Sequence, residues 1–215
     1  MIDPKQLAAL RQNYAKHELT RSSVREDPFE QFAVWFDEAM KAEIYEPNAM
    51  TLGTATTDGR PAGRVVLLKA FSPQGFTFYT NYNSAKGRQL SENPNCFLHF
   101  FWKELERQAF IRGLASRVPA EESDEYFASR PYESQLGAWA SEQSSVIESR
   151  EVIEQRFTEL REKYKEGDVP RPPHWGGFLV APTEFEFWQG RPSRLHDRIR
   201  FRLDDGIWTI ERLSP

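Results

Sequence analysis

Hairpin signals near both ends of the chain constrain its fold more than any other feature. Asp58-Gly59 separates strand-like runs at 49–56 and 63–71, and Asp204-Asp205-Gly206 separates runs at 194–203 and 207–212. Pro73-Gln74-Gly75 marks a third turn, ahead of Phe76-Thr77-Phe78-Tyr79-Thr80. The runs 96–102 and 107–118 flank a turn around 103–105, and 177–188 opens the closing strands. Helical spacing fills much of the rest. Phe29, Phe32, Ala33, Phe36 and Met40 follow Asp27-Pro28 and predict a helix over 28–44. A short helix is expected after Ser84, ending near Asn93-Pro94. Residues 119–140 read as helical with a break at Arg130-Pro131. A longer helix is expected over 146–165, with Ile153, Phe157, Leu160 and Tyr164 as its apolar stripe. A proline-rich connection covers 167–173.

Strands at both ends with helices between them predict one antiparallel sheet or barrel with helical decoration. Regular βα alternation is missing, and no Gly-x-Gly-x-x-Gly follows a strand, which argues against a Rossmann site. No phosphate loop of the Gly-x-x-x-x-Gly-Lys-Ser/Thr type occurs either.

The chain has 215 residues, enough for one substantial core or at most two small ones. Its 28 Lys and Arg against 32 Asp and Glu leave a net charge of −4, unlike a general nucleic-acid binder. Local basic clusters in an acidic chain point to small anionic ligands. One cysteine, Cys96, excludes an intrachain disulfide and fits a reducing compartment. Its apolar neighbours Phe97 and Leu98 predict a packed, inert thiol. His17, His99, His174 and His196 are scattered, so no metal site is expected. No basic leader precedes an apolar core, and no apolar run approaches the ~20 residues that cross a bilayer. A soluble, cytoplasmic protein is the expectation, with no nucleic-acid or membrane partner.

Several polar groups stand where a β protein would otherwise carry apolar ones. If 194–198 is extended, Arg194, His196 and Arg198 share one face, with Trp188 upstream as a flat wall. That set suits an anionic aromatic ligand; a solvated edge strand is the alternative. Arg64 and Lys69 bracket Val65-Val66-Leu67-Leu68. In a regular strand they face opposite ways, so either the strand bulges, the two cations serve different groups, or they only solubilise its ends. Ser84-Ala85-Lys86 opens a helix whose free N–H groups, hydroxyl and ammonium suit a phosphate. Tyr126, Arg130 and Ser134 recur every four residues, with Pro131 placing Ser134 on a second helix. Gln143-Ser144-Ser145 offers donors at another expected helix start. Two phosphate-type clusters and an aromatic wall suggest two phosphorylated ligands, a cofactor and a substrate.

These motifs carry a family resemblance. Arg64 through Lys69, Phe78-Tyr79-Thr80-Asn81, Glu106-Arg107-Gln108, Ser129-Arg130-Pro131 and Ser134-Gln135-Leu136-Gly137-Ala138-Trp139 resemble the pyridoxine/pyridoxamine 5′-phosphate oxidases. Trp175-Gly176-Gly177-Phe178, Phe187-Trp188-Gln189-Gly190, Arg194 through Arg198 and the ending Glu211-Arg212-Leu213-Ser214-Pro215 extend the match. The resemblance implies an FMN-binding split β-barrel, antiparallel and Greek-key-like, mainly β with flanking helices. Residues 1–27 would form an N-terminal segment that closes over substrate, and 28–215 one barrel domain with helices inserted at about 119–165.

It implies a homodimer with FMN in clefts between subunits, oxidising pyridoxine 5′-phosphate and pyridoxamine 5′-phosphate to pyridoxal 5′-phosphate. Hydride would pass from substrate C4′ to flavin N5, and O2 would reoxidise the flavin to give H2O2. FMN contacts would fall on Arg64, Val65, Val66, Leu67, Leu68, Lys69, Tyr79, Thr80, Lys86, Gln108, Gln143, Ser144, Trp188 and Arg198. Lys69, Tyr126, Arg130 and Ser134 would hold the substrate phosphate, with Arg11 and Tyr14 in the closing segment. Arg194 and His196 would lie against the pyridine ring as catalytic residues. Many relatives carry Arg where this chain has Ala85, and Lys16-His17-Glu18-Leu19 lacks the glycines common after Tyr14. The rival readings are a flavin reductase or another flavin oxidase on the same barrel, and a non-catalytic binder of FMN or pyridoxal phosphate.

Overall fold

A computed structural model describes residues 3–215 and places their elements in two compact units. One unit comprises Asn48–Leu98 and Arg112–Pro182; the other comprises the residues up to Pro47, His99–Ile111 and Thr183–Pro215.

The first unit starts with the hairpin that Asp58-Gly59 predicts. Strands β1 (Ala49–Ala55) and β2 (Pro61–Leu67) pair antiparallel from Ala49↔Leu67 to Ala55↔Pro61, and Gly59 takes φ 84° at the turn. The expected continuous strand 63–71 is broken. After Leu67 the chain changes partner, and β3 (Ala70–Ser72) pairs with β4 (Gly75–Asn81) instead. Leu68 N–H donates to Asn48 O at 2.9 Å and Lys69 N–H to Thr77 O at 2.9 Å, so the switch leaves neither amide unpaired.

Helix α3 (Ala85–Glu92) begins at Ser84, whose buried hydroxyl accepts the Gly87 N–H at 3.2 Å. α4 (Ala120–Ala128) and α5 (Tyr132–Ala140) flank Arg130-Pro131, matching the expected break; proline has no N–H with which to continue the first helix. α6 (Glu151–Lys163) is shorter than the expected 146–165. Its Phe157 and Leu160, followed by Tyr164, pack around the buried Phe127, Leu136, Val169 and Trp175. β4 also pairs antiparallel with β7 (Trp175–Gln189), from Phe76↔Val180 to Asn81↔Trp175. A Cβ at Gly177 would lie 2.6 Å from Val118 and 2.9 Å from the Tyr79 ring, so glycine allows this close approach.

In the second unit, α1 (Pro4–Ala9) is short, and α2 (Pro28–Lys41) is capped by Asp27 accepting from Phe29 N–H at 2.7 Å. α2 ends before the expected Ile44, and the chain turns at Glu43 with φ 52°. Its buried Phe32 and Trp35 meet Phe100 and Phe187 edge-on, at centroid distances of 5.1 Å in each pair. β8 (Asp197–Asp204) pairs with β7 from Glu184↔Arg202 to Gln189↔Asp197, and with β9 (Ile207–Leu213) across the Asp205-Gly206 turn. Both turn residues have positive φ, 48° and 80°, which the right-handed twist of a tight hairpin favours.

Strands β5 (Asn95–Trp102) and β6 (Arg107–Arg117), like β7, contribute residues to both units. Hydrogen bonding runs in the order β2-β1-β5-β6-β7-β4-β3, with β8 on β7 and β9 on β8. The mainly antiparallel sheet with flanking helices agrees with the sequence expectation. Among the described residues, no helix is long and apolar enough to cross a membrane.

Candidate active site

A cleft of about 940 Å³ lies within the first unit. Strand β2 supplies Arg64, Val65, Val66 and Leu67 to its wall, and the break after β2 brings in Lys69. The partner switch thus puts Arg64 and Lys69 on one cleft despite their odd separation. Leu68, between them, is only 5 % exposed and packs into the core, so it does not line the cleft. β4 contributes Tyr79 and Thr80, α3 Lys86, and the loop after α5 Gln143. Tyr126 on α4, Arg130 at the helix break and Ser134 on α5 also meet there.

The electrostatics are one-sided. No carboxylate lies within 4 Å of Arg64, Lys69, Lys86 or Arg130 among the described residues. Arg64 donates to neutral acceptors instead: Thr54 Oγ1 at 2.6 Å, Leu52 O at 3.3 Å and Gln89 Oε1 at 3.2 Å. Burial lowers the pKa of the Arg64 guanidinium. Lys86 is lowered as well, first by burial and then by the charge on Arg64. Its Nζ donates to Gln143 Oε1 at 2.9 Å, an oxygen that also receives the Thr80 hydroxyl at 3.3 Å.

A stack of rings lines the same cleft. Tyr126 is parallel to Tyr79 at 3.9 Å, and Tyr79 to Trp175 at 5.5 Å. Burial, aided by Glu122, pushes the Tyr79 phenol up to about 12, so it stays protonated near neutrality. Arg130 lies over Trp175, and its Nη1 is buried without an acceptor among the described residues. Such a donor costs about 1–3 kcal/mol until something accepts from it. A cleft with four uncompensated cations, one carrying an orphaned N–H, fits a phosphorylated ligand.

A second group of predicted residues gathers in the other unit. His196 lies 4.5 Å from Trp188 between ring centroids, and Tyr14 lies 5.9 Å from Trp188 and 6.0 Å from His196. His196 Nδ1 accepts the Arg191 backbone N–H at 3.1 Å, which leaves its ring proton on Nε2. Burial, then the Arg194 charge, holds its pKa below the usual histidine value, against the opposing pull of Asp197.

The expected common face of Arg194, His196 and Arg198 is not formed. Pro192–Arg194 make a single helical turn, Ser193 and Arg194 take φ 57° and 62°, and β8 begins only at Asp197. Arg198 is tied to Glu186 at 2.7 and 3.1 Å and to Ser214 O at 2.9 Å. Gln108 bonds His99 Nε2 at 2.8 Å. Arg11 and Arg194 are exposed, Ser144 is exposed outside the cleft wall, and no helix starts at 143–145. Ser84 spends its hydroxyl on capping. Trp175, the floor of the stack, had no assigned role in the sequence; the adjoining Gly176-Gly177 was its only signal.

The cleft is that of a protein which binds a phosphorylated ligand on a mainly antiparallel sheet. Residues 36–164 match the family described as pyridoxamine 5′-phosphate oxidase, and 175–215 match the pyridoxine 5′-phosphate oxidase C-terminal dimerisation region. The chain belongs to the pyridoxamine 5′-phosphate oxidase family. It is 58 % identical over 212 residues to the pyridoxine/pyridoxamine 5′-phosphate oxidase of Salinibacter ruber, covering 97 % of this chain and 99 % of that protein. The Gloeothece citriformis enzyme of the same name is 57 % identical over 210 residues, covering 97 % and 98 %. Among solved structures, PhzG from Burkholderia lata in complex with tetrahydrophenazine-1-carboxylic acid is similar at a TM-score of 0.86 and 31 % identity, covering 92 % of this chain and 98 % of that one. A pyridoxamine 5′-phosphate oxidase-related FMN binding protein from Nostoc punctiforme shares the fold at a TM-score of 0.70 and 16 % identity, covering 89 % and 100 %.

Proposed function

We propose that this protein oxidises pyridoxine 5′-phosphate and pyridoxamine 5′-phosphate to pyridoxal 5′-phosphate with bound FMN. The observation that carries the reading is the cationic cleft over stacked rings, with the unmatched Arg130 Nη1 inside it. Arg64, Lys86, Thr80 and Gln143 are the groups taken to hold FMN, with Arg64 and Lys86 on its phosphate. When bound, the flavin supplies hydride acceptance from substrate C4′ and returns the electrons to O2 as H2O2. Lys69, Tyr126, Arg130 and Ser134 are taken to grip the substrate phosphate. That ester is remote from the reacting carbon, so its binding energy serves to fix the ring in register.

His196 in its neutral Nε2–H form donates a hydrogen bond rather than accepting a proton at Nδ1, which suits orientation of a pyridine substituent. Arg194 contributes positive charge beside it. Two copies of the chain assemble, a reading supported by the match of 175–215 to a dimerisation region, and FMN is taken to sit in clefts between them. The buried thiol of Cys96 is compatible with a reducing cytoplasm. The test is product analysis in air: FMN-loaded protein given pyridoxamine 5′-phosphate should release pyridoxal 5′-phosphate and H2O2 in equal amounts. Peroxide without the aldehyde product would overturn the proposal.

A further inference from the structure

We propose that Glu106 is a positioning residue for this oxidation: its carboxylate fixes the N-terminal segment so that Tyr14 packs on Trp188 and His196. The inference rests on the reading that Tyr14 and His196 border the substrate.

Glu106 is 8 % exposed, yet no cation lies within 4 Å of its carboxylate among the described residues. Its partners are two consecutive backbone amides: Oε2 accepts Ala15 N–H at 2.9 Å and Lys16 N–H at 3.0 Å. A buried anion needs such donors, and successive amides form a concave anion seat. The charge and the segment therefore depend on each other. Glu106 also sits at φ 55°, a conformation costly for a residue with a Cβ and retained where the surroundings demand it.

The backbone of the same residue holds the other side of the Tyr14 seat. Glu106 O accepts Gly190 N–H at 2.7 Å and Gln189 Nε2 at 3.2 Å. Tyr14 lies directly on Gly190, where an added Cβ would come within 2.7 Å of its ring. One residue thus fastens both the strand end beneath Tyr14 and the chain just after it. Lys16 Nζ adds a bond to Glu104 O at 2.6 Å. Asp197 Oδ2 accepts Leu19 N–H at 3.0 Å, and Arg191 holds His17 O at 3.2 Å and the Glu18 carboxylate at 2.6 Å, so losing the Glu106 carboxylate frees residues up to Lys16 without releasing the rest.

The test uses full-length, FMN-loaded Glu106→Ala and Glu106→Gln in two assays. Limited trypsin digestion should cleave after Arg11 and Lys16 about tenfold faster in Glu106→Ala, the scale of one lost charge-assisted hydrogen bond, with cleavage after the exposed Lys165 unchanged. Glu106→Gln, which keeps an acceptor oxygen and the side-chain shape, should show a smaller change of the same sign and serves alone if the alanine variant does not fold. In steady-state kinetics with pyridoxamine 5′-phosphate, KM should rise about tenfold while kcat changes less than about twofold. In a Tyr14→Ala background, Glu106→Ala should add nothing further to KM. Unchanged digestion at Arg11 and Lys16 overturns the latch even if the vitamer is oxidised. Equal KM increases with and without Tyr14 overturn the positioning role. If no vitamer is oxidised, the functional reading fails while digestion still decides the latch.

Discussion

The guanidinium carbon of Arg130 lies 4.6 Å from the centre of the Trp175 ring. The arrangement holds a cation by its flat face and leaves its edge for an anion. Arg130→Met should raise KM for pyridoxamine 5′-phosphate by about tenfold to about a hundredfold, the range expected for hydrogen bonds to a charged group. The thermal midpoint of the FMN-free protein should hold or rise, because the variant removes a buried donor that has no acceptor. An unchanged KM would remove Arg130 from the phosphate site.

Lys86 stands next to the uncharged Ala85. Lys86→Ala should weaken FMN binding, measured by titrating apoprotein and following flavin fluorescence. Ala85→Arg should restore part of the loss. The effect of Lys86→Ala should be smaller in the Ala85→Arg background, since the second cation then shares the phosphate. Equal losses in the two backgrounds contradict this.

His196 has a lowered pKa, so its protonation sets an acid limb on kcat/KM below the ordinary value of 6.5. Arg194 is one cause of that lowering, and Arg194→Ala should therefore shift the limb upward. The same variant should lower turnover severely while FMN stays bound. His196→Asn should abolish the limb. For folding the sign agrees: a base with a depressed folded pKa loses stability as pH falls through its unfolded value. A limb that ignores Arg194→Ala would contradict the assignment.

The Cys96 thiol is pushed up to about 12 by burial, and its S–H faces Gly113 O at 3.7 Å. Iodoacetamide should leave it unlabelled in the native protein and modify it only after denaturation. Because the folded state keeps the proton that the unfolded thiol loses above its ordinary value of 9.0, this group's stability contribution falls between about pH 9 and 12. Urea midpoints should drop less over that range in Cys96→Ala.

The hairpins were legible because Gly59 and Gly206 sit at positive φ, a demand that composition announces. Asp27-Pro28 likewise wrote the start of α2 into the chain, and Pro131 the break that keeps Arg130 at the cleft. What could not be read was pairing. Gly63 through Phe71 look like one strand, yet β2 pairs with β1 and β3 with β4. No local signal marks where a chain changes partner. Glu186, the partner of Arg198, is contributed by the neighbouring strand, so this ion pair was not legible in the local sequence. Only the shared extended face of Arg194, His196 and Arg198 is not formed, because Ser193 and Arg194 take positive φ in the turn that follows Pro192.

Anaerobic reduction probes the central claim most directly. FMN-saturated protein mixed with pyridoxamine 5′-phosphate in the absence of oxygen should lose its visible flavin absorbance, and admitting air should restore it. A flavin that keeps its colour with saturating pyridoxamine 5′-phosphate and pyridoxine 5′-phosphate would contradict the account.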